Sequence, residues 1–191
     1  MNEEVSSNLN GMNGDSQIEE YSYTQQIINN LPYIAMTLLG GAIFITGFGD
    51  PVWGWICASA YVSYSVAGAF WIIIFVCPFC ERHGTMCCPC GYGRVAARLR
   101  EKNDVSLFGR KFKRHIPVIV PLWFIPVIAG VVFAILSFSW LMVILLVVFA
   151  LVAFVFLPLF SKRHSCTNCP QKESCPWMGS KGDEKRIQSE E

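Results

Sequence analysis

Two long apolar stretches dominate the chain, and each is broken once near its middle. Between Leu31 and Val76 the only charged residue is Asp50, and between Ile116 and Phe160 there is none. Gly49-Asp50-Pro51 interrupts the first stretch and Ser137-Phe138-Ser139 the second; the former is a turn tripeptide carrying a charge. The pattern predicts four apolar helices, over 31–48, 52–76, 116–136 and 140–160. At about 1.5 Å rise per residue, some 20 residues cross the roughly 30 Å hydrocarbon core of a bilayer. The expected fold class is therefore an all-α integral membrane protein with four transmembrane helices in two hairpins, 31–76 and 116–160. Three polar segments flank them: an acidic, mostly disordered tail (1–30), a cysteine-rich basic loop (77–115) and a cysteine-containing tail (161–191).

Composition agrees. The 191 residues are 53% hydrophobic and 15% charged, against about 25% charged in a soluble domain. Charge placement adds orientation. Of the 15 Lys and Arg, nine lie in the central loop (Arg82, Arg94, Arg98, Arg100, Lys102, Arg110, Lys111, Lys113, Arg114) and six in the C-terminal tail. The positive-inside rule then expects loop and both termini in the cytoplasm, with the protein in the cell membrane. The first 30 residues contain no Lys or Arg, so no signal peptide is expected. With nine basic and three acidic side chains over 78–115, the loop is also expected to meet anionic lipids. Positive-inside bias explains that charge, and nucleic acid is not an expected partner.

The spans carry few groups for chemistry. Ion pathways and proton relays need ionisable side chains in the bilayer; here the candidates are Cys57, Tyr33, Tyr61 and Tyr64. His83, His115 and His164 fall outside the spans, so axial ligation of a membrane haem is not expected. Thr37, Gly40, Gly41, Phe44 and Gly47 form one helical face, and Cys57, Tyr61, Tyr64, Ser65, Gly68 and Ile72 another. Small residues and hydroxyls at these steps predict close helix packing. Pro121 and Pro126 are expected to free carbonyls that need new partners.

Eight of the nine cysteines lie beside the spans, on one side of the expected membrane. Cys77, Cys80, Cys87, Cys88 and Cys90 open the loop, and Cys166, Cys169 and Cys175 follow the last span. The cytosol keeps thiols reduced, which disfavours a disulfide framework. Thiolate ligation of zinc or of an iron–sulfur cluster explains the grouping, since CxxC presents two sulfurs from one turn. By spacing, Cys77, Cys80, Cys87 and Cys90 make CxxC-x6-CxxC, one four-thiolate site. Cys88, Cys166, Cys169 and Cys175 are the right number for a second, and His83 or His164 could replace a sulfur.

The six-residue spacer is shorter than that of an ordinary zinc ribbon. Cysteine-proline pairs at Cys77, Cys88, Cys169 and Cys175 echo iron–sulfur proteins, so the metal stays open. Membrane palmitoyltransferases share the layout, but their Asp-His-His-Cys signature is absent, and no catalytic constellation stands out. The expected function is a membrane protein whose cytoplasmic metal site organises a docking surface for a membrane or soluble protein partner. The alternatives are an iron–sulfur electron-transfer subunit and a metal- or thiol-handling transporter.

Overall fold

The computed structural model describes residues 20–166 and residue 169. Helix α1 spans Tyr23–Gly47. It starts on the polar side of Leu31 because a capping box sets its beginning. The Ser22 Oγ accepts the Gln25 N–H at 3.3 Å and the Gln25 Oε1 accepts the Ser22 N–H at 2.8 Å. Its first two turns thus carry Gln26, Asn29 and Asn30 ahead of the apolar run. Helix α2 spans Pro51–Phe75. Asp50, the one charge within the first apolar stretch, caps it by accepting the Val52 N–H at 2.8 Å. Pro51 stands at the first helical position, where its missing N–H costs nothing.

Between α2 and the second apolar stretch lie two short helices, α3 (Tyr92–Leu99) and α4 (Phe108–His115). Helix α5 spans Pro121–Leu136 and α6 starts at Trp140 after the Ser-Phe-Ser break. Helix α6 (Trp140–Ala150) continues through π-helical turns (Leu151–Phe156), an α-helical turn (Leu157–Phe160) and a second π-helical stretch (Ser161–Cys166). Among the described residues there is no strand. Four helical segments are long and apolar enough to cross a membrane: Tyr23–Gly47, Pro51–Phe79, Val105–Leu136 and Trp140–Arg163.

Helix α1 sits at the centre, packed on α2, α5 and α6. Met36, Ile43, Leu122, Phe149 and Ala153 are fully enclosed between them. The outward faces remain apolar, with Leu38, Trp55, Ile128 and Ile144 exposed. Glycines let the backbones approach: a Cβ on Gly40 would collide with the Tyr61 ring, and one on Gly47 with Phe133. The hydroxyls inside the bundle are spent on structure. Tyr33 donates to the Ser65 carbonyl at 2.8 Å, and the Thr37 and Ser65 hydroxyls meet at 2.8 Å. Tyr61 donates to the Leu122 carbonyl at 2.9 Å and Tyr64 to the Val118 carbonyl. Among the described residues no buried side-chain nitrogen or oxygen lacks a partner.

The Phe48 and Phe133 rings, 4.9 Å apart, bring the two interhelical breaks to one end of the bundle. The opposite end carries the cysteine-rich loop and the Ser161–Cys166 turn.

Candidate functional site

The loop is built from tight turns. Cys77–Phe79 forms a 3-10 turn in which the Cys80 N–H reaches the Cys77 carbonyl at 3.1 Å. The CxxC pair is therefore presented by one turn directly after α2. Farther on, the Gly91 N–H bonds the Cys88 carbonyl at 3.0 Å, and the Gly93 N–H points at the Cys88 Sγ at 3.4 Å. Gly91 has φ +74°, a left-handed conformation suited to glycine. Gly93 is needed for space, since a Cβ there would stand 2.6 Å from the Arg82 carbonyl oxygen. The Arg82 guanidinium donates to the Cys87 carbonyl, and Cys87 itself is buried at 6% exposure.

This loop is clamped to the first turns of α1. The Asn29 side-chain amide donates to the Pro89 carbonyl at 2.9 Å and that of Asn30 to the Cys90 carbonyl at 3.1 Å. The Tyr21 N–H reaches the Met86 carbonyl at 3.1 Å, and Arg94 donates to the Tyr23 hydroxyl at 3.0 Å. A cavity of about 200 Å³ lies beneath, walled by Asn30, Tyr33, Cys90, Tyr92, Leu157 and Ser161 among others. Cys90 of the loop and Ser161 of the last helix thus share one space. Ser161 Oγ stands 3.9 Å from Cys166 Sγ, and the Cys169 N–H bonds the Cys166 carbonyl at 3.2 Å.

The thiols sense one another. Burial pushes the Cys90 thiol up to about 12, and the nearby Cys88 and Cys166 sulfurs add to the shift. Burial raises Cys80 to about 11; Cys88 and Cys169 contribute, against a backbone hydrogen bond from Arg82 and its positive charge. Cys77 lies within the same electrostatic reach of Cys88, Cys80 and Cys90. The Tyr92 phenol is held above its usual range, first by burial and then by Cys90. Burial leads at both loop thiols, and the tail thiols enter only as smaller contributions, Cys169 at Cys80 and Cys166 at Cys90. In the loop, Cys88 acts on Cys77, Cys80 and Cys90 alike.

Among the described residues no group of three or more His, Cys, Asp and Glu side chains is arranged to hold a metal ion. Cys175 lies outside the described residues, as do the first 19 residues and most of the tail. His83 engages the Arg100 carbonyl through Nε2 at 3.1 Å. Sequence reasoning passed over Asn29, Asn30 and Tyr92. The paired asparagines ahead of an apolar run were a usable signal, since polar side chains at a membrane helix end need partners. No family model matches this chain, and neither does a curated protein or a solved structure.

Proposed function

We propose that this is a four-span membrane protein whose cytoplasmic cysteines bind a soft metal and thereby organise a docking surface for a protein partner. In this reading the helices pair as two hairpins, with the loop and both termini in the cytoplasm. The observation that carries it is that the loop cysteines and Cys166 lie at the same end of the bundle, where Cys90 lines a cavity also lined by Ser161, whose Oγ is 3.9 Å from the Cys166 Sγ. Cys80 and Cys90, raised by burial, are protonated at neutral pH and inert as nucleophiles. A divalent cation supplies the charge that lets them ionise, because a coordinating thiol is deprotonated outright. Zinc and iron–sulfur iron both suit all-sulfur ligation.

The membrane reading draws on the apolar exterior and on the aromatic residues. Trp53, Trp55, Phe138 and Trp140 are exposed near the interhelical breaks, with Trp71 exposed toward the other end of α2. That spacing suits two interfacial belts. A transporter reading gains no support from the bundle interior, where the hydroxyls are bound to backbone or to one another.

Metal analysis and an optical spectrum of anaerobically purified protein test the proposal. Stoichiometric zinc without visible absorption supports the scaffold. Bound iron with visible charge-transfer bands moves the protein to electron transfer. Absence of both after purification and after anaerobic reconstitution overturns the metal reading.

Helix α4 supports anionic lipid as a second partner. Arg110, Lys113 and Arg114 are exposed while Phe108 and Phe112 are half-buried, and Lys111 lies 5.0 Å from the Phe79 ring centre. Each basic side chain contributes about 1 kcal/mol near an anionic leaflet. Phosphatidylglycerol added to micelles should raise the melting temperature of the protein, and the R110A/K113A/R114A variant should lose that gain. Equal gains in both proteins would remove α4 as the contact.

A further inference from the structure

The cavity beneath the loop lies at the border between apolar span and polar flank on two helices at once. On α1 it is lined by Asn29 and Asn30, directly before the apolar run that Leu31 opens. On the last helix it is lined by Phe160 and Ser161, directly before Lys162 and Arg163. We propose that this cavity is a phospholipid site: one acyl chain enters between α1, α2 and the last helix, while its ester and phosphate stay at the polar rim. The site rests on the four-span reading above and is independent of the metal reading.

The walls suit a hydrocarbon chain. Ala69 and Ile72 of α2, Ile119 ahead of α5, and Leu157 and Phe160 of the last helix make the lining mostly apolar. The cavity is half open, and its volume of about 200 Å³ is below the roughly 300–1,000 Å³ of an ordinary small-molecule pocket. That fits a length of one chain and not an enclosed soluble ligand. Leu157 and Phe160 belong to a single α-helical turn set between two π-helical stretches, a rare geometry that frequently marks functional sites.

Lipid tails are as apolar as such walls, so burial alone does not draw a chain out of the bilayer; packing and hydrogen bonds must hold it. The rim supplies them. The Tyr33 hydroxyl is spent on Ser65, but among the described residues nothing hydrogen-bonds the hydroxyl of Tyr92, which also lines the cavity. No enclosed side-chain oxygen lacks a partner there, so the Tyr92 hydroxyl opens onto free space and is placed to donate to an ester carbonyl. Lys162 and Arg163, exposed immediately beyond Ser161, put positive charge where the lipid phosphate emerges.

Native mass spectrometry of the full-length protein in detergent, titrated with phosphatidylcholine, tests the site; a zwitterionic lipid keeps the basic face of α4 out of the measurement. Wild type should retain one lipid per chain, saturably. A69L and S161L, which fill the cavity from α2 and from the last helix, should lose that lipid. A67L, on the exposed face of α2 outside the cavity, should keep it. Y92F should bind about fivefold more weakly, the effect of one neutral hydrogen bond. Photolysis of wild type with a phosphatidylcholine carrying a diazirine near its ester needs no variant to fold, and the label should map to Ile72, Tyr92 or Leu157–Phe160. Equal retention by wild type, A69L and S161L, or label confined to outward residues such as Leu38 and Val66, overturns the site. A wild type that retains no lipid also overturns it and leaves the four-span reading standing. Protein that stays dispersed without detergent overturns both.

Discussion

The Tyr61 hydroxyl donates to the Leu122 carbonyl at 2.9 Å, and that carbonyl is the one Pro126 leaves without an N–H four residues on. Both residues are enclosed, Leu122 at 0% and Tyr61 at 4% exposure. An orphaned carbonyl in an apolar interior is costly, so the tyrosine of α2 completes the proline-broken ladder of α5. Y61F should lower unfolding free energy in detergent by about 1 kcal/mol. Adding P126A returns an N–H to the carbonyl, so the double variant should recover most of that loss. A full additive penalty in the double-mutant cycle would sever the link between the two residues.

Gly40 and its neighbour Gly41 give a paired test of helix approach. A methyl group at Gly40 meets the Tyr61 ring, whereas at Gly41 the nearest atom is a Val62 methyl carbon at an ordinary 3.8 Å. G40A should destabilise the bundle by about 1–3 kcal/mol through overpacking. G41A should be neutral or stabilising by up to about 1 kcal/mol, because alanine is the better helix former. Equal effects in thermal unfolding would contradict the close contact of α1 and α2 at Tyr61.

The asparagine clamp predicts a local, not global, loss. N29A/N30A removes the donors to the Pro89 and Cys90 carbonyls. Each bond contributes about 1 kcal/mol, which is enough to raise local opening of the loop several-fold. Trypsin should then cut faster at Arg94, Arg98 or Arg100 while the helical circular dichroism is unchanged. Unaltered cleavage would mean that the loop is held by other contacts.

Thiol reactivity should rise steeply with pH. In metal-free protein Cys80, raised to about 11 by burial, is protonated at neutral pH. About one molecule in ten thousand carries the thiolate at pH 7, and each pH unit up to about 10 multiplies that fraction roughly tenfold. Site-resolved alkylation by mass spectrometry should follow that slope at Cys80. A rate that levels off near pH 8 would indicate an ordinary exposed thiol.

Orientation has its own test. A single cysteine placed at Asp50 in a cysteine-free variant should react with an impermeant thiol reagent in intact cells, and one at Ser106 should not. The reverse pattern would invert the orientation inferred from the 15 basic residues.

The four apolar helices and both breaks were legible from the residues alone, because a bilayer-length run without charge leaves a chain few alternatives. The Gly-Asp-Pro and Ser-Phe-Ser breaks fall where α1 gives way to α2 and α5 to α6. The glycine- and hydroxyl-bearing faces of α1 and α2 were equally readable as packing surfaces, since helical spacing fixes which residues share a face. Local capping by Ser22 and Gln25, masked by the polar composition of 20–30, extended α1 beyond its apolar run. Which carbonyl Tyr61 would satisfy, and that Asn29 and Asn30 would hold a loop 60 residues away, depended on how the helices dock. The same holds for the cysteines. Spacing identified the thiols as a group and favoured Cys87 by its CxxC register. The left-handed turn at Gly91 and the Gly93 N–H on the Cys88 sulfur fix where Cys88 lies, because a backbone reversal, not sequence distance, decides which side chains meet.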